Sequence, residues 1–365
     1  MRPEGLPALL IACAGFTGAA AAEFKDFRDW HAACDNLRNC SAYGFQADEP
    51  SYACVRVERS GAPAAAARVT IVVDAGAKAT VALAFDDANL RGLPAGPVAL
   101  ERSGDDSLGR VAIDDPAAVD ALIASLRTAQ ALVIRRIDPP DGEKSEQETS
   151  RISLSGAVAA LLWIDEQQQR LGTATAFIRR GDKSASSIAP PPQAPVVHAA
   201  KPPPAGGAPK PLSPAETRAI IAKARALCND DERASHDDAF RLGRDAVLHG
   251  FSCPGISGAY NQASVFLIAP DGKPQAARAV KFAYPAGIRR GGSTSDDVIA
   301  INAGFDQDSM TLSTFNKGRG LGDCGAAENW VWDGQTFQLV ELRSMPHCKG
   351  VPMADWPVHY RAERK

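Results

Sequence analysis

Residues 181–213 read GDKSASSIAPPPQAPVVHAAKPPPAGGAPKPLS, and no other stretch limits the fold as much. It is dense in Pro, Ala and Ser and has no apolar period. Such a segment cannot bury enough surface to offset the entropy of ordering it. Proline keeps the backbone extended and semi-stiff. A single core cannot run through this stretch. The expectation is two globular halves, 23–180 and 213–365, joined by a disordered spacer over 181–212. Each half is long enough to bury a core of its own.

The chain opens MRPEGLPALLIACAGFTGAAAAEF. One Arg precedes an apolar run that ends on Ala20-Ala21-Ala22. This is the pattern of an export signal, 1–22, cut before Glu23. A membrane anchor is the weaker reading, because Pro7, Gly15 and Gly18 interrupt a short, alanine-rich run. Lipoprotein processing at Cys13 is a second rival, since Leu10-Ile11-Ala12-Cys13 resembles a lipobox. The expected location is periplasmic or secreted. No later segment is apolar and long enough to span a bilayer.

Of eight cysteines, Cys13 falls in the expected signal, which leaves Cys34, Cys40, Cys54, Cys228, Cys253, Cys324 and Cys348. In an exported chain these read as disulfides rather than metal ligands. No C-x-x-C occurs, so a thioredoxin-type redox pair and a paired-cysteine zinc knuckle are both missing. The spacings favour local bridges, Cys34–Cys40, Cys228–Cys253 and Cys324–Cys348, with Cys54 left unpaired. The two longer loops would stabilise by roughly 3–4 kcal/mol each and the short one by about 2 kcal/mol. Sequence alone leaves other connectivities open. Charge decides little, because 40 basic and 43 acidic residues give a net of −3. No basic block suits nucleic acid.

The first half is strand-rich. Trp30, Ala32 and Cys34 alternate as in a half-buried strand, and a five-residue loop, DNLRN, returns the chain to CSAYGF. YACVRVE, RVTIVVD, KATVALAFD and ALVIRRI read as further strands. Asp115 caps a helix with Pro116 at its first position and Val119, Leu122, Ile123 and Leu126 as its stripe. A second helix, AVAALLWIDEQQQRLG, offers Val158, Leu161, Leu162 and Trp163 to the core and stops at Gly172. The second half opens with a helix behind a Ser213–Glu216 capping box, whose inward face is Ile220, Ile221, Ala224 and Leu227. Strands follow at ASVFLIAP, ARAVKFAYP, DVIAINAGF and SMTLSTF. WVWDGQTFQLVEL reads as a hairpin turning at Asp333-Gly334, with Trp330 or Trp332 across from Phe337. The fold class is α+β, with an antiparallel, sandwich-like sheet and one or two flanking helices in each half.

WHAACDNLRNCSAYG, SLSGAVAALLWIDEQQQRLG, SGAYN at Ser257–Asn261, and GRGLGDCG with the WVWDG, CKG and WP that follow it resemble an exported bacterial family. It is the domain-of-unknown-function family numbered 1176. The likeness covers nearly the whole chain beyond the signal. The family characteristically carries six cysteines, and Cys34, Cys40, Cys228, Cys253, Cys324 and Cys348 match them by context, with Cys54 the departure. The first half more weakly resembles the invasion-associated locus B family in its Trp-x-x-x-Cys opening and SLSG helix. The resemblance implies a periplasmic or secreted protein of a Gram-negative bacterium and brings no activity with it.

Catalytic motifs are sparse. KGRGLGDCG, Lys317–Gly325, lacks both phosphate-loop and dinucleotide spacings. It could form an anion-binding nest beside Lys317 and Arg319, but reads first as a tight corner beneath a disulfide. Cys324 as a nucleophile would take His347 as its base, and bridging to Cys348 would remove the thiolate. G-I-S-G-A at Gly255 misses the nucleophile elbow at its last position. The histidines are scattered, so no metal site and no cofactor are expected. Asp237 and Asp238 are adjacent rather than facing, which gives general acid–base chemistry no support, and His236-Asp237-Asp238 reads as a solvated loop or helix face. Arg289-Arg290-Gly291-Gly292 reads as a solvated hairpin tip. Aromatic anchors point to a binding surface around Tyr260, Asn261, Arg319 and Trp332, although large aromatics also fill cores.

These readings make the chain an exported, non-enzymatic binding or envelope-associated protein, whose partner is a protein or an envelope component. An exported hydrolase centred on Cys324 and His347 is the alternative. A host-interaction factor, carried by the locus B likeness, is a third reading.

Overall fold

The computed structural model describes residues 23–46, 52–74, 79–86, 90–102, 108–137, 149–204, 208–288 and 297–365. The expected signal and the Arg289–Gly292 tip lie outside the described residues.

The first half contains β1 (Glu23–Phe27), β2 (Trp30–Cys34), β3 (Cys40–Phe45), β4 (Ala53–Arg59), β5 (Ala67–Asp74), β6 (Thr80–Phe85), β7 (Pro97–Ala99), β8 (Leu108–Ile113), α1 (Pro116–Leu126), β9 (Ala131–Ile137), β10 (Thr149–Ser153) and α2 (Ala157–Gln167). Antiparallel pairing gives one sheet in the order β1-β2-β3-β4-β5-β8 and another in the order β10-β9-β6-β7. Their inner faces share one core with both helices, in which Val57, Ile71, Val81, Ile134, Leu122 and Leu161 are all buried. Asp115 accepts from Ala118 N at 2.8 Å, as an N-cap should. Helix α2 ends five residues before Gly172, and it buries Ala157, Ala160 and Ile164 where Val158 and Leu162 were expected.

In the second half, α3 (Pro214–Leu227) starts at the expected Ser213–Glu216 capping box. β12 (Ser235–Arg241), β13 (Ala246–Ser252), β14 (Ala263–Pro270), β15 (Arg278–Ala279) and β16 (Ile299–Ile301) form one sheet. β17 (Gly304–Asp306), β18 (Thr311–Lys317), β19 (Gly325–Trp332), β20 (Phe337–Met345) and β21 (Val358–Arg361) form the other. Leu248 and Phe266 meet Leu312, Trp330 and Leu339 between them, while α3 covers the outer face over Phe251 and Val265. His236–Asp238 belongs to β12, a strand the sequence pattern did not announce because polar residues occupy both of its faces. The hairpin closes on the pair Trp332 and Phe337, with only Gly334 of its turn at positive φ.

The three expected bridges form, Cys34–Cys40, Cys228–Cys253 and Cys324–Cys348, and Cys54 is free and buried. Among the described residues no helix is long and apolar enough to cross a membrane.

The stretch of the proline-rich spacer from Val196 to Ala200 is docked where a disordered tether was expected. Val196–Val197 forms β11 and pairs in parallel with β22 (Glu363–Arg364). Ala200 N donates to Trp332 O at 2.8 Å, and Ala199 N to Lys365 O at 2.7 Å. Ile188 and Val197 are buried. The physical reason lies between the prolines. The stretch from Val196 to Ala200 keeps its backbone donors and two apolar side chains, and a chain already held extended loses little entropy on joining a strand.

The halves also share a core. Tyr43, Phe45, Cys54 and Val72 from the first pack with Cys324, Met345, Val351 and Trp356 from the second. This explains why β3 is buried on both faces, not on one.

Candidate functional site

The seam between the halves is built from local sequence on each side. Asp35 begins the loop inside the Cys34–Cys40 bridge, and its Oδ1 accepts from Leu37 N and Asn39 N, both at 2.9 Å. The loop thus presents Asn36, whose amide donates to Arg361 O at 3.0 Å and whose Oδ1 accepts from Arg361 N at 2.8 Å. Arg361 Nε donates to Asp35 Oδ2 at 3.1 Å. The DNLRN loop is therefore a clamp on β21.

Beside the clamp opens a cleft of about 410 Å3. Arg56, Arg59 and Arg68 reach it from β4 and β5, and Arg343 and Arg361 from β20 and β21. Asp35, Glu58 and Asp355 are the opposing carboxylates. At its inner end Asp355 accepts from Arg56 Nη1 at 2.9 Å and Arg110 Nη2 at 2.8 Å. Burial pushes the Asp355 carboxyl up, but the Arg110 and Arg56 guanidiniums outweigh it and hold it below the ordinary carboxylate value. Burial works against the Arg56 charge, yet Glu58, Tyr43 and Asp355 raise its pKa above the usual arginine value. The cleft lining carries five arginines and three carboxylates. Its arginines are already paired, Arg59 with Asp165, Arg343 with Glu341, Arg361 with Asp35 and Arg68 with Asp114, so an anion would enter by exchange at the exposed pairs of Arg68 and Arg361.

The residues singled out from sequence divide into two groups. Tyr260, Asn261 and Arg319 do come together around the glycine-rich loop. Tyr260 is 41 % exposed, with its hydroxyl donating to Gly318 O at 3.3 Å. Asn261 latches that loop, donating to Lys317 O at 2.9 Å and accepting from Lys317 N at 3.0 Å. Arg319 makes a two-pronged pair with Asp323 at 2.8 and 2.7 Å. Trp332 does not join them. It is 2 % exposed, with its ring against Phe337, so its part in a surface strip is corrected to a core role.

KGRGLGDCG is the corner beneath a bridge. A Cβ on Gly318 would lie 2.7 Å from Cys324 Sγ, and Gly325 sits at φ +132° with Asn316 O only 2.0 Å from where its Cβ would be. The anion held by the loop is its own Asp323, which also accepts from Gly350 N at 2.6 Å. Cys324 is bonded to Cys348, so the thiolate required by the hydrolase reading is spent. His347 turns instead to the first half, with Nε2 2.8 Å from Asp26 Oδ1. Ser257 Oγ donates to Cys253 O at 2.9 Å and accepts from Ala263 N at 2.9 Å, which is structural work.

One grouping was invisible in the sequence. Asp26, His31 and His347 converge at the seam, and the intervals between them form no motif. Asp26 Oδ1 lies 2.9 Å from His31 Nδ1 as well as 2.8 Å from His347 Nε2. Burial acts to raise the Asp26 carboxyl, and the bonds from His31 and His347 overcome it and hold it below the ordinary value.

Fold and seam together define a β-rich α+β protein of two interlocked halves, braced by three disulfides around an arginine-walled cleft. The sequence profile of the family described as "Protein of unknown function (DUF1176)" matches residues 24–363, and the chain belongs to that family. It is similar to the uncharacterized protein YpfG of Escherichia coli (strain K12), at 32 % identity over 347 residues, covering 93 % of this chain and 92 % of the relative. No solved structure matches. The likeness of the first half to the invasion-associated locus B family rests on the Trp-x-x-x-Cys opening and the SLSG helix alone.

Proposed function

We propose that the chain is exported and serves in the cell envelope as a non-enzymatic binding protein for an acidic envelope component. The observation that carries this reading is the cleft at the seam, walled by arginines that both halves supply. Guanidinium groups recognise carboxylate and phosphate oxygens in pairs, and the exposed Arg68 and Arg361 can trade a carboxylate of the chain for one on a ligand. Three disulfides support an oxidising compartment.

Two experiments test it. Fractionation with N-terminal sequencing should find the chain outside the cytoplasm and starting at Glu23; a cytoplasmic chain that keeps residues 1–22 defeats the export reading. Binding to vesicles rich in anionic phospholipid and to an acidic oligosaccharide separates the two sources of the same chemistry. One arm should bind, weaken with salt, and fall about tenfold in the double variant R68E/R343Q. No binding in either arm, or binding indifferent to that variant, overturns the cleft.

Exposed Tyr260 and Leu321, the latter 80 % exposed, favour a second reading in which the loop with Tyr260, Asn261 and Arg319 contacts a protein partner. Cross-linking from position 321 in whole cells should then capture one partner, and L321D should abolish the adduct.

A further inference from the structure

We propose that Asp26, His31 and His347 form a binding site for one divalent transition-metal ion, zinc being the best fit, that ties the two halves together. The three residues offer one carboxylate oxygen and two imidazole nitrogens, all within 4.8 Å of one another. This is the mixed nitrogen and oxygen set that zinc accepts, with a fourth position left for water or a ligand. That position has room, because the cluster lines a pocket of about 180 Å3. The site is graded from closed to open: the His31 side chain is 1 % exposed, His347 38 % and Asp26 52 %. His31 is thus a fixed anchor, and the ion can enter from the outer side.

A second observation points to a ligand. His31 Nε2 and Gln46 Oε1 are both buried without a hydrogen-bond partner, and both residues line this pocket. With Asp26 accepting from Nδ1, the neutral imidazole of His31 leaves Nε2 as a second unsatisfied acceptor beside that of Gln46. When Nδ1 instead gives its lone pair to a metal, the proton resides on Nε2 and one of the two acceptors becomes a donor. That tautomer turns a donor into the pocket that Gln46 also lines, the position where metal-ligating histidines commonly take an outer partner. Asp26 and His31 come from the β1–β2 hairpin and His347 from the loop after β20, so the ion bridges the seam.

The test uses the full chain with its disulfides intact and no histidine tag, dialysed against zinc alone. The expected result is one zinc per chain at micromolar concentration and a melting temperature that rises with zinc. H347A and D26N should each weaken uptake at least about tenfold and lose the rise in melting temperature. His347 sits in a half-exposed loop, so H347A remains informative if D26N fails to fold. Cobalt in place of zinc should give visible absorption bands in the native chain that H347A lacks. No zinc retained at micromolar concentration, or uptake and melting unchanged in both variants, overturns the site.

Discussion

Asp165 and Asp355 are both carboxylates held by arginine, one in the interior of the first half and one at the seam. Asp165 is fully buried. It accepts from Phe177 N and Ile178 N, each at 2.9 Å, and from Arg59 Nη2 at 2.8 Å. Arg59 also donates to Gln168 Oε1 at 2.7 Å and Thr175 O at 2.6 Å, with its guanidinium 3.5 Å from the Phe177 ring centre. Burial and the nearby Arg170 lower the Arg59 pKa to about 10, still charged at neutral pH. All these partners come from one half. Asp355 takes its arginines from the other half, and its side chain keeps 13 % exposure on an open cleft. The same chemistry therefore does two jobs. Inside, a saturated ionic network pins the loop after α2, whose amides would otherwise be buried unpaired. At the seam it joins two bodies where water and ions can compete.

The comparison breaks or holds first on Asp165. Removing it strands Arg59 and two backbone N–H groups in the core, so D165A should cost about 4 kcal/mol in urea unfolding. A cost near 1 kcal/mol would mean that water already reaches the network. Next in size is the Cys324–Cys348 bridge, which closes a loop spanning 24 positions next to the seam. Replacing both cysteines by alanine should cost about 3 kcal/mol and expose the shared core, read as quenching of the buried Trp356. Unfolding of the second half with Trp356 still protected would show that the bridge braces one half alone.

The sequence made much of this legible, and particular residues show where it stopped. Local signals were sufficient where the constraint is local: Asp115 and Ser213 cap their helices, and Cys34 lies opposite Cys40 in neighbouring strands. Gly318 and Gly325 sit where a disulfide corner needs them. Long-range partners left no periodic trace. Nothing in WVW separates a core face from a binding strip, because a buried Trp and an exposed one have the same spacing. Nothing in the Pro/Ala stretch marks Val196 and Val197 as a strand, because their partner is Glu363–Arg364 at the far end of the chain. The cleft and the Asp26–His31–His347 cluster are products of how the halves dock, and docking is written in shape.

A smaller effect sharpens the seam side of the comparison. D355A removes the acceptor of Arg56 and Arg110 but leaves both guanidiniums within reach of the cleft. Its expected cost is about 2 kcal/mol, falling with added salt, whereas the D165A cost should be insensitive to salt. Asp355 is held below its ordinary pKa, so its contribution is present above the unfolded carboxylate value and fades as pH falls through the lower folded one. Equal salt dependence for the two variants would erase the distinction between interior and seam.

The smallest expected effect concerns a histidine pair, His249 buried and His236 half-buried, with no carboxylate in hydrogen-bond contact. His236 Nε2 and His249 Nδ1 lie 3.1 Å apart, and His249 is 4 % exposed. Burial first, and then the His236 charge, lower the His249 pKa to about 4. Its folded pKa lies below its unfolded one, so between the two the unfolded chain binds the extra proton and stability falls as pH drops. From about pH 7.5 to about pH 5.5 the loss from this residue should be about 1 kcal/mol. H249Q, which cannot titrate, should reduce the chain's slope by that amount, with buried His359 keeping a slope of the same sign, while D355A leaves the His249 share in place. If H249Q titrates like the native chain over this window, this interior holds an imidazolium without a fully bonded partner. That charge would stand in contrast to Asp165, which is met by Arg59 and two backbone amides.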